Sequence, residues 1–245
     1  MSSLLLRLSA PLQSWGSSSK FNKRMTNREP TKSGVIGMIA AAMGLRRDDD
    51  LHDLQKIRFG VRIDQEGVLI KDFHTAHTFD NKQSFISDRY YLADALFIVG
   101  LEGEDMLLQD IEAAVKNPVF PLYLGRRSCP PAGQISLGIR EGVSLLEALR
   151  DESWHASDWY KKQAPPEVSL EIVYDAEPQN VGAYTLRDIP VSFSQVHRKY
   201  AFRSVMNVID GNRLPNPASR YARYQESPTE HDPMAGLIQL SKEGD

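Results

Sequence analysis

The run Leu122-Tyr123-Leu124-Gly125-Arg126-Arg127-Ser128-Cys129-Pro130 concentrates the most chemistry in the fewest residues. An apolar, strand-like entry leads to a glycine, two adjacent arginines and a stop at Pro130-Pro131. Glycine permits a turn, or a close backbone approach that a Cβ would block. Two arginines beside it offer planar, permanently charged forks suited to phosphate. The run therefore reads as a fixed loop holding an anion, or else as a strand exit with two solvated arginines.

A second block, Pro30-Thr31-Lys32-Ser33-Gly34, resembles a phosphate loop in composition. Lys32-Ser33 falls at an expected helix N-terminus, where free N–H groups and the helix dipole favour phosphate. The Walker spacing is absent, which argues against nucleotide hydrolysis. Nearby, Trp15 is a stacking platform or a lid over that helix. Gln13 and Ser14 could hydrogen-bond bases or phosphates.

Basic charge is local. Net charge is -3, so a uniformly basic nucleic-acid coat is excluded. Ser17 to Thr31 holds Lys20, Lys23, Arg24 and Arg28 against Glu29 alone, and reads as a mobile loop. Arg126 and Arg127 add to it if the fold joins the first and last strands. Later come His197-Arg198-Lys199, Arg203, Arg213, Arg220 and Arg223, interleaved with Tyr200, Phe202, Tyr221 and Tyr224. Basic residues alternating with aromatics suit single-stranded nucleic acid, or form a solvated face over core rings.

Other chemistry is weaker. His74 and His77, three apart on an extended segment, point to opposite faces, so no metal site is expected. Cys129 reads as a small buried residue rather than a nucleophile. His74, Lys71 and Tyr90 have the right types for a metal-independent ribonuclease activating a 2′-OH.

The elements that must carry these residues follow from the apolar pattern. Leu4 to Ala10 reads as a strand. Ser33 caps a buried helix over Gly34 to Gly44, and Asp48-Asp49-Asp50 caps a short one. Strands follow at Phe59 to Ile63 and Val68 to His74, then a polar hairpin or loop over Ala76 to Asp88. Tyr90 to Leu101 is the strongest strand, and Leu107 to Lys116 has helical spacing. This order matches a split βαβ, or ferredoxin-like, unit, the architecture of the RRM. After Arg140 a short helical patch spans Leu145 to Trp159, and Lys161 to Pro166 reads as a linker. Val168 to Tyr174, Ala183 to Ile189 and Phe202 to Ile209 then read as strands of a smaller β-rich unit. The expected division is 1–140 and 141–245.

With 245 residues, 41% hydrophobic and 25% charged, the chain can bury a sizeable core. One cysteine excludes an intrachain disulfide, as befits a reducing compartment. No apolar run approaches the roughly 20 residues a membrane span needs. The N-terminus lacks a basic n-region and a long h-region, so no signal peptide is expected. A cytoplasmic protein without a cofactor is the expectation.

Four blocks carry a resemblance. Leu6-Arg7-Leu8-Ser9-Ala10-Pro11-Leu12-Gln13-Ser14-Trp15-Gly16 and Pro30-Thr31-Lys32-Ser33-Gly34-Val35-Ile36-Gly37 resemble the first two blocks of the CRISPR-associated CasD family. Asp72-Phe73-His74-Thr75 and the run from Tyr123 to Pro130 resemble the third and fourth. The resemblance implies an α+β protein: an RRM-like palm, a protruding thumb near 76–90 and a small C-terminal β unit. It implies a non-catalytic subunit of type I-E Cascade. Such a subunit grips the 5′ handle of crRNA, caps the CasC filament, helps seat CasA and meets target DNA only through the complex, with no membrane. In this subtype CasE cuts the crRNA. Type I-C relatives cut it themselves with an adjacent Lys-His pair and a tyrosine, and this chain has no Lys-His dipeptide. Phosphate contacts are expected from Lys20, Lys23, Arg24, Lys32, Ser33, Arg126 and Arg127. Base or sugar contacts are expected from Gln13, Trp15 and His74, with Gly125 letting the RNA backbone come close.

Overall fold

Leu4, Leu5 and Leu6 of β1 (Ser2–Ser9) are fully buried in a seven-stranded sheet, one strand in from its edge. The computed structural model describes residues 1–16, 23–80, 82–209 and 213–221. Side chains alternate across a strand, so Leu4, Leu6 and Leu8 enter one apolar cluster while Leu5 enters another. Burial on both faces is why Leu4 to Leu6 form an unbroken apolar run.

Five elements follow: β2 (Leu12–Gln13), β3 (Lys23–Arg24), α1 (Lys32–Ala42), α2 (His52–Lys56) and β4 (Arg58–Gln65). Next come β5 (Val68–His77), β6 (Ser84–Ala93), β7 (Leu96–Gly103), α3 (Asp105–Lys116), β8 (Ser136–Arg140) and α4 (Leu145–Asp151). Strands β8-β1-β7-β4 lie side by side, every pair antiparallel. That is the ferredoxin-like order expected from the sequence, and the chain is an α+β protein. Helices α1 and α3 seal the Leu4 face through Val35, Ile39, Leu108 and Ile111. Helix α4 seals the Leu5 face through Leu145 and Leu149. Each such aliphatic side chain contributes about 1.5–3 kcal/mol by leaving water.

Four local expectations change. Thr31, not Ser33, caps α1: its hydroxyl accepts from Gly34 N at 3.2 Å. Leu122 to Leu124 is irregular rather than strand, and the run lies before the last palm strand, β8. Tyr90 to Leu101 breaks at Asp94, whose φ of 57° is left-handed. There the chain passes from a small sheet (β2-β6-β3, with β5 on β6) into the main one. The hairpin or loop expected over 76–88 is consequently part of a longer hairpin, formed by β5 and β6 in ten-residue register from Val68↔Ala93 to His77↔Ser84.

The C-terminal strands do form, as β10 (Glu171–Asp175), β11 (Tyr184–Ser192) and β12 (Lys199–Ile209). They do not stand apart: β10 pairs with β4 and continues the main sheet to β12 and β11. The compact units are residues 1–156 with 169–212, and a second that holds 157–168 and 213–221. The second has α5 (Asp158–Gln163) and a two-residue ladder between β9 (Glu167–Val168) and β13 (Leu214–Pro215). Asn216 ties it by donating to the carbonyls of Lys161 and Pro165. Among the described residues no helix is long and apolar enough to cross a membrane.

Candidate nucleic-acid interface

The run from Leu122 to Pro130 forms a ridge whose height is set by the main chain. Leu124 N donates to Cys129 O at 2.7 Å, and Cys129 N to Arg126 O at 2.9 Å. Leu124 and Cys129 are buried and anchor the turn. Burial pushes the Cys129 thiol up, so packing is its role. Gly125 has φ +85°, and a Cβ there would lie 1.7 Å from Ser14 O. Ser14 N donates back to Leu124 O at 3.2 Å. Gly125 is thus needed for a close approach, but to the chain's own Ser14 rather than to RNA.

The two arginines diverge. Arg126 lies 4.6 Å above the Tyr91 ring and donates through Nη2 to Arg24 O at 2.7 Å. Strand β3 runs parallel to β6, with Arg24 opposite Arg89. Arg24, Arg89 and Arg126 therefore converge around Tyr91 and Ser128, whose hydroxyls are 3.5 Å apart. Burial pushes the Tyr91 phenol up, but Ser128 and the guanidiniums of Arg126 and Arg89 outweigh it and hold it below the usual range. Arg89 Nε and Arg126 Nη1 are buried with no hydrogen-bond partner among the described residues. Lys23 and Arg24 are exposed. Arg127 turns the other way, into a groove along α1.

Several expected contact residues belong to the scaffold instead. Gln13 is fully buried; its amide donates to Leu8 O and Ala95 O and accepts from Trp15 Nε1 at 3.0 Å. Trp15 is 1% exposed and packs against Gly34, so it is the lid and not a stacking platform. Lys32 is buried, with Nζ 2.8 Å from Asp175 and its backbone N–H on Asp188 at 2.9 Å. Arg203 completes this network, 2.6 Å from both carboxylates. The Asp188 carboxylate thus occupies the helix N-terminus proposed for phosphate. Ser33 is buried beside Thr31. Lys20 lies outside the described residues.

His74 sits on β5 with Asp72 at 2.8 Å, on the hairpin face that Arg89 and Tyr91 share by register. Lys71 and Tyr90 are opposite one another on the other face, where Lys71 pairs with Asp88. The three ribonuclease candidates are therefore not brought together. His74 and His77 project to opposite faces of β5.

The model of a family described as CRISPR-associated protein (Cas_Cas5) matches residues 3–206. This chain belongs to that family. A curated relative, the CRISPR system Cascade subunit CasD of Escherichia coli (strain K12), is 32% identical, covering 71% of this chain and 88% of that protein. A chain of a solved CRISPR RNA-guided surveillance complex superposes with a TM-score of 0.70 at 30% identity, covering 89% of this chain and 92% of its own. A chain from a crystal structure of a Cas protein gives 0.66 at 38% identity, covering 89% and 97%. The resemblance carried by the four sequence blocks is thereby confirmed at family level.

Arg89 and Tyr91 were not singled out by sequence reasoning. A signal existed: in a strand, residues two apart share a face, and Arg89-Tyr90-Tyr91 puts a cation and a ring together on one side. What that side faces was invisible, because Arg126 arrives from 35 residues downstream.

Proposed function

We propose that this chain is a non-catalytic, RNA-binding subunit of a type I-E Cascade complex. It grips the 5′ handle of crRNA, caps the CasC backbone and helps seat CasA in antiviral defence in the cytoplasm, reaching target DNA only through the assembly. One observation carries the RNA reading: three arginines converge around Tyr91, and two of their nitrogens have no protein partner among the described residues. Unmet buried donors cost about 1–3 kcal/mol each, and a phosphate oxygen answers both the hydrogen bonds and the charge. Arg24, Arg89 and Arg126 are assigned to RNA backbone, with Lys20, Lys23 and Arg127 supplying further positive charge. His74 is assigned to a base or sugar, on the hairpin face it shares with Arg89.

The hairpin supports the assembly reading. Leu69, Phe73, Phe79, Phe85 and Ile86 are all more than half exposed on a two-stranded ribbon, which is marginal in water on its own. A neighbouring backbone subunit would cover them. The separation of Lys71 and Tyr90 from His74 argues against the endoribonuclease alternative. Purified chain incubated with labelled repeat RNA in EDTA should bind and leave the RNA intact. Site-specific cleavage, lost in His74→Ala or Tyr90→Phe, would replace this reading with the enzymatic one.

A further inference from the structure

The face of the ridge opposite Arg126 is a groove of about 880 Å³. One wall is α1 and the turn after it, with Gly34, Gly37, Arg46 and Arg47. A second is the ridge and its approach, with Phe120, Tyr123 and Arg127. The third comes from β11–β12, with Phe193, Arg198 and Tyr200. We infer that this groove is a second RNA subsite, taking unstacked nucleotides with bases on the aromatic rings and phosphates on the four arginines. The inference rests on the reading of the chain as an RNA-binding subunit and adds a separate set of residues to it.

The charge pattern is the main argument. Among the described residues no aspartate or glutamate lines the groove, although acidic residues outnumber basic ones in the chain, 32 to 29. Away from the groove and the Tyr91 cluster, several arginines meet carboxylates: Arg28 with Glu66, Arg58 with Glu102, Arg62 with Asp64, Arg140 with Glu152. The guanidiniums of Arg46, Arg47, Arg127 and Arg198 have no ion pair or hydrogen bond among the described residues. Four like charges from separate segments around one trough repel one another until an anion enters.

The class of anion follows from the walls. Phe120, Tyr123, Phe193 and Tyr200 present rings beside the cations, the combination that grips single-stranded nucleic acid without sequence preference. A volume near the upper end of roughly 300–1,000 Å³ for ligand pockets exceeds what a bare phosphate fills. The α1 N-terminus adds no anion site, since Asp188 already accepts from Lys32 N. Arg126 and Arg127 are consecutive and face opposite sides, so one strand crossing the ridge meets a cation on each.

The test uses the full chain, handle RNA and unstructured oligouridine. Arg46 and Arg198 are exposed, so Arg46→Glu/Arg198→Glu should fold, as circular dichroism checks. It should weaken RNA binding at least tenfold at low salt and flatten the log–log salt dependence by about 1.4, at roughly 0.7 per phosphate. A 2-aminopurine in the bound RNA should be quenched, and Tyr200→Ala should relieve the quenching. Unchanged affinity and slope in the double variant, with binding still lost in Arg126→Ala, overturns the groove and leaves the parent reading standing. Absence of RNA binding by the unsubstituted chain overturns both. Displacement of RNA by polyglutamate at equal concentration, with no quenching, makes the groove an acidic-peptide site and overturns the nucleotide assignment.

Discussion

Two glycine-flanked basic blocks look alike in the sequence and behave oppositely in the fold. Pro30 to Gly34 brings Lys32 against β10 and β11, where Asp175 pairs with its ammonium and Asp188 accepts from its backbone N–H. Leu122 to Pro130 brings Arg126 against a tyrosine and two more arginines, where no carboxylate answers its free nitrogen. The residue types are equivalent; the partners are not. A cation with its carboxylate already in place holds the protein together. A cation placed among cations awaits something from outside.

The sharpest way to break this contrast is to remove the centre of the first block's network. Arg203→Ala leaves Asp175 and Asp188 without their shared cation and should cost about 3–5 kcal/mol, read as a lower denaturant midpoint. The protein that remains folded should keep its RNA affinity. An affinity loss without a stability loss would merge the two regions into one site. Gln13→Ala should follow at about 1–3 kcal/mol, because Leu8 O, Ala95 O and Trp15 Nε1 all lose a partner, again with RNA binding intact.

The ridge should respond the other way. Arg126→Ala should weaken handle RNA roughly tenfold and flatten its salt dependence by about 0.7, with thermal stability moved far less. Equal affinity across salt would return Arg126 to the scaffold with Lys32.

The smallest effect sharpens the contrast by pH. Burial pushes the Glu29 carboxyl up, with Arg28 opposing and Glu171 adding to the rise. The folded chain then holds that proton more tightly than the unfolded one. The ionised form works against stability at neutral pH, and the penalty fades as pH falls through the raised value. Glu29→Gln should therefore raise the free energy of unfolding at pH 7 by no more than about 0.5 kcal/mol, and the gain should vanish where Glu29 is protonated in both the folded and the unfolded chain. A gain that grew on acidification would contradict the sign.

The apolar periods made much of the fold legible. β1, α1, α3 and three C-terminal strands all appear where their patterns predict them. Pairing was not legible: β10 joins β4 across more than a hundred residues, and nothing in either strand names the other. The break at Asp94 was hidden because one left-handed residue leaves no periodic trace. The scaffold roles of Gln13 and Lys32 were hidden for the reason that hid the sheet order. Lys32's partners, Asp175 and Asp188, lie 143 and 156 residues away. Gly125 was read correctly as a point of close approach, and its visitor was misidentified, because φ and clearance belong to the fold while the motif shows only the glycine.

Asp94 has a mechanical consequence. Its N–H donates to Pro11 O at 3.1 Å and its carbonyl accepts from Gln65 Nε2 at 2.5 Å, so three chain segments are pinned where the hairpin leaves the palm. The hairpin is a cantilever with a clamped root. A load at its tip near Phe79 is delivered along β6 into β7, which is paired on both sides by β1 and β4. Bending stress from a docked neighbour therefore enters a strand paired on both sides and, through Tyr91 on β6, also reaches Arg126 and Ser128 of the ridge, and amide exchange along the hairpin should slow steadily from tip to clamp.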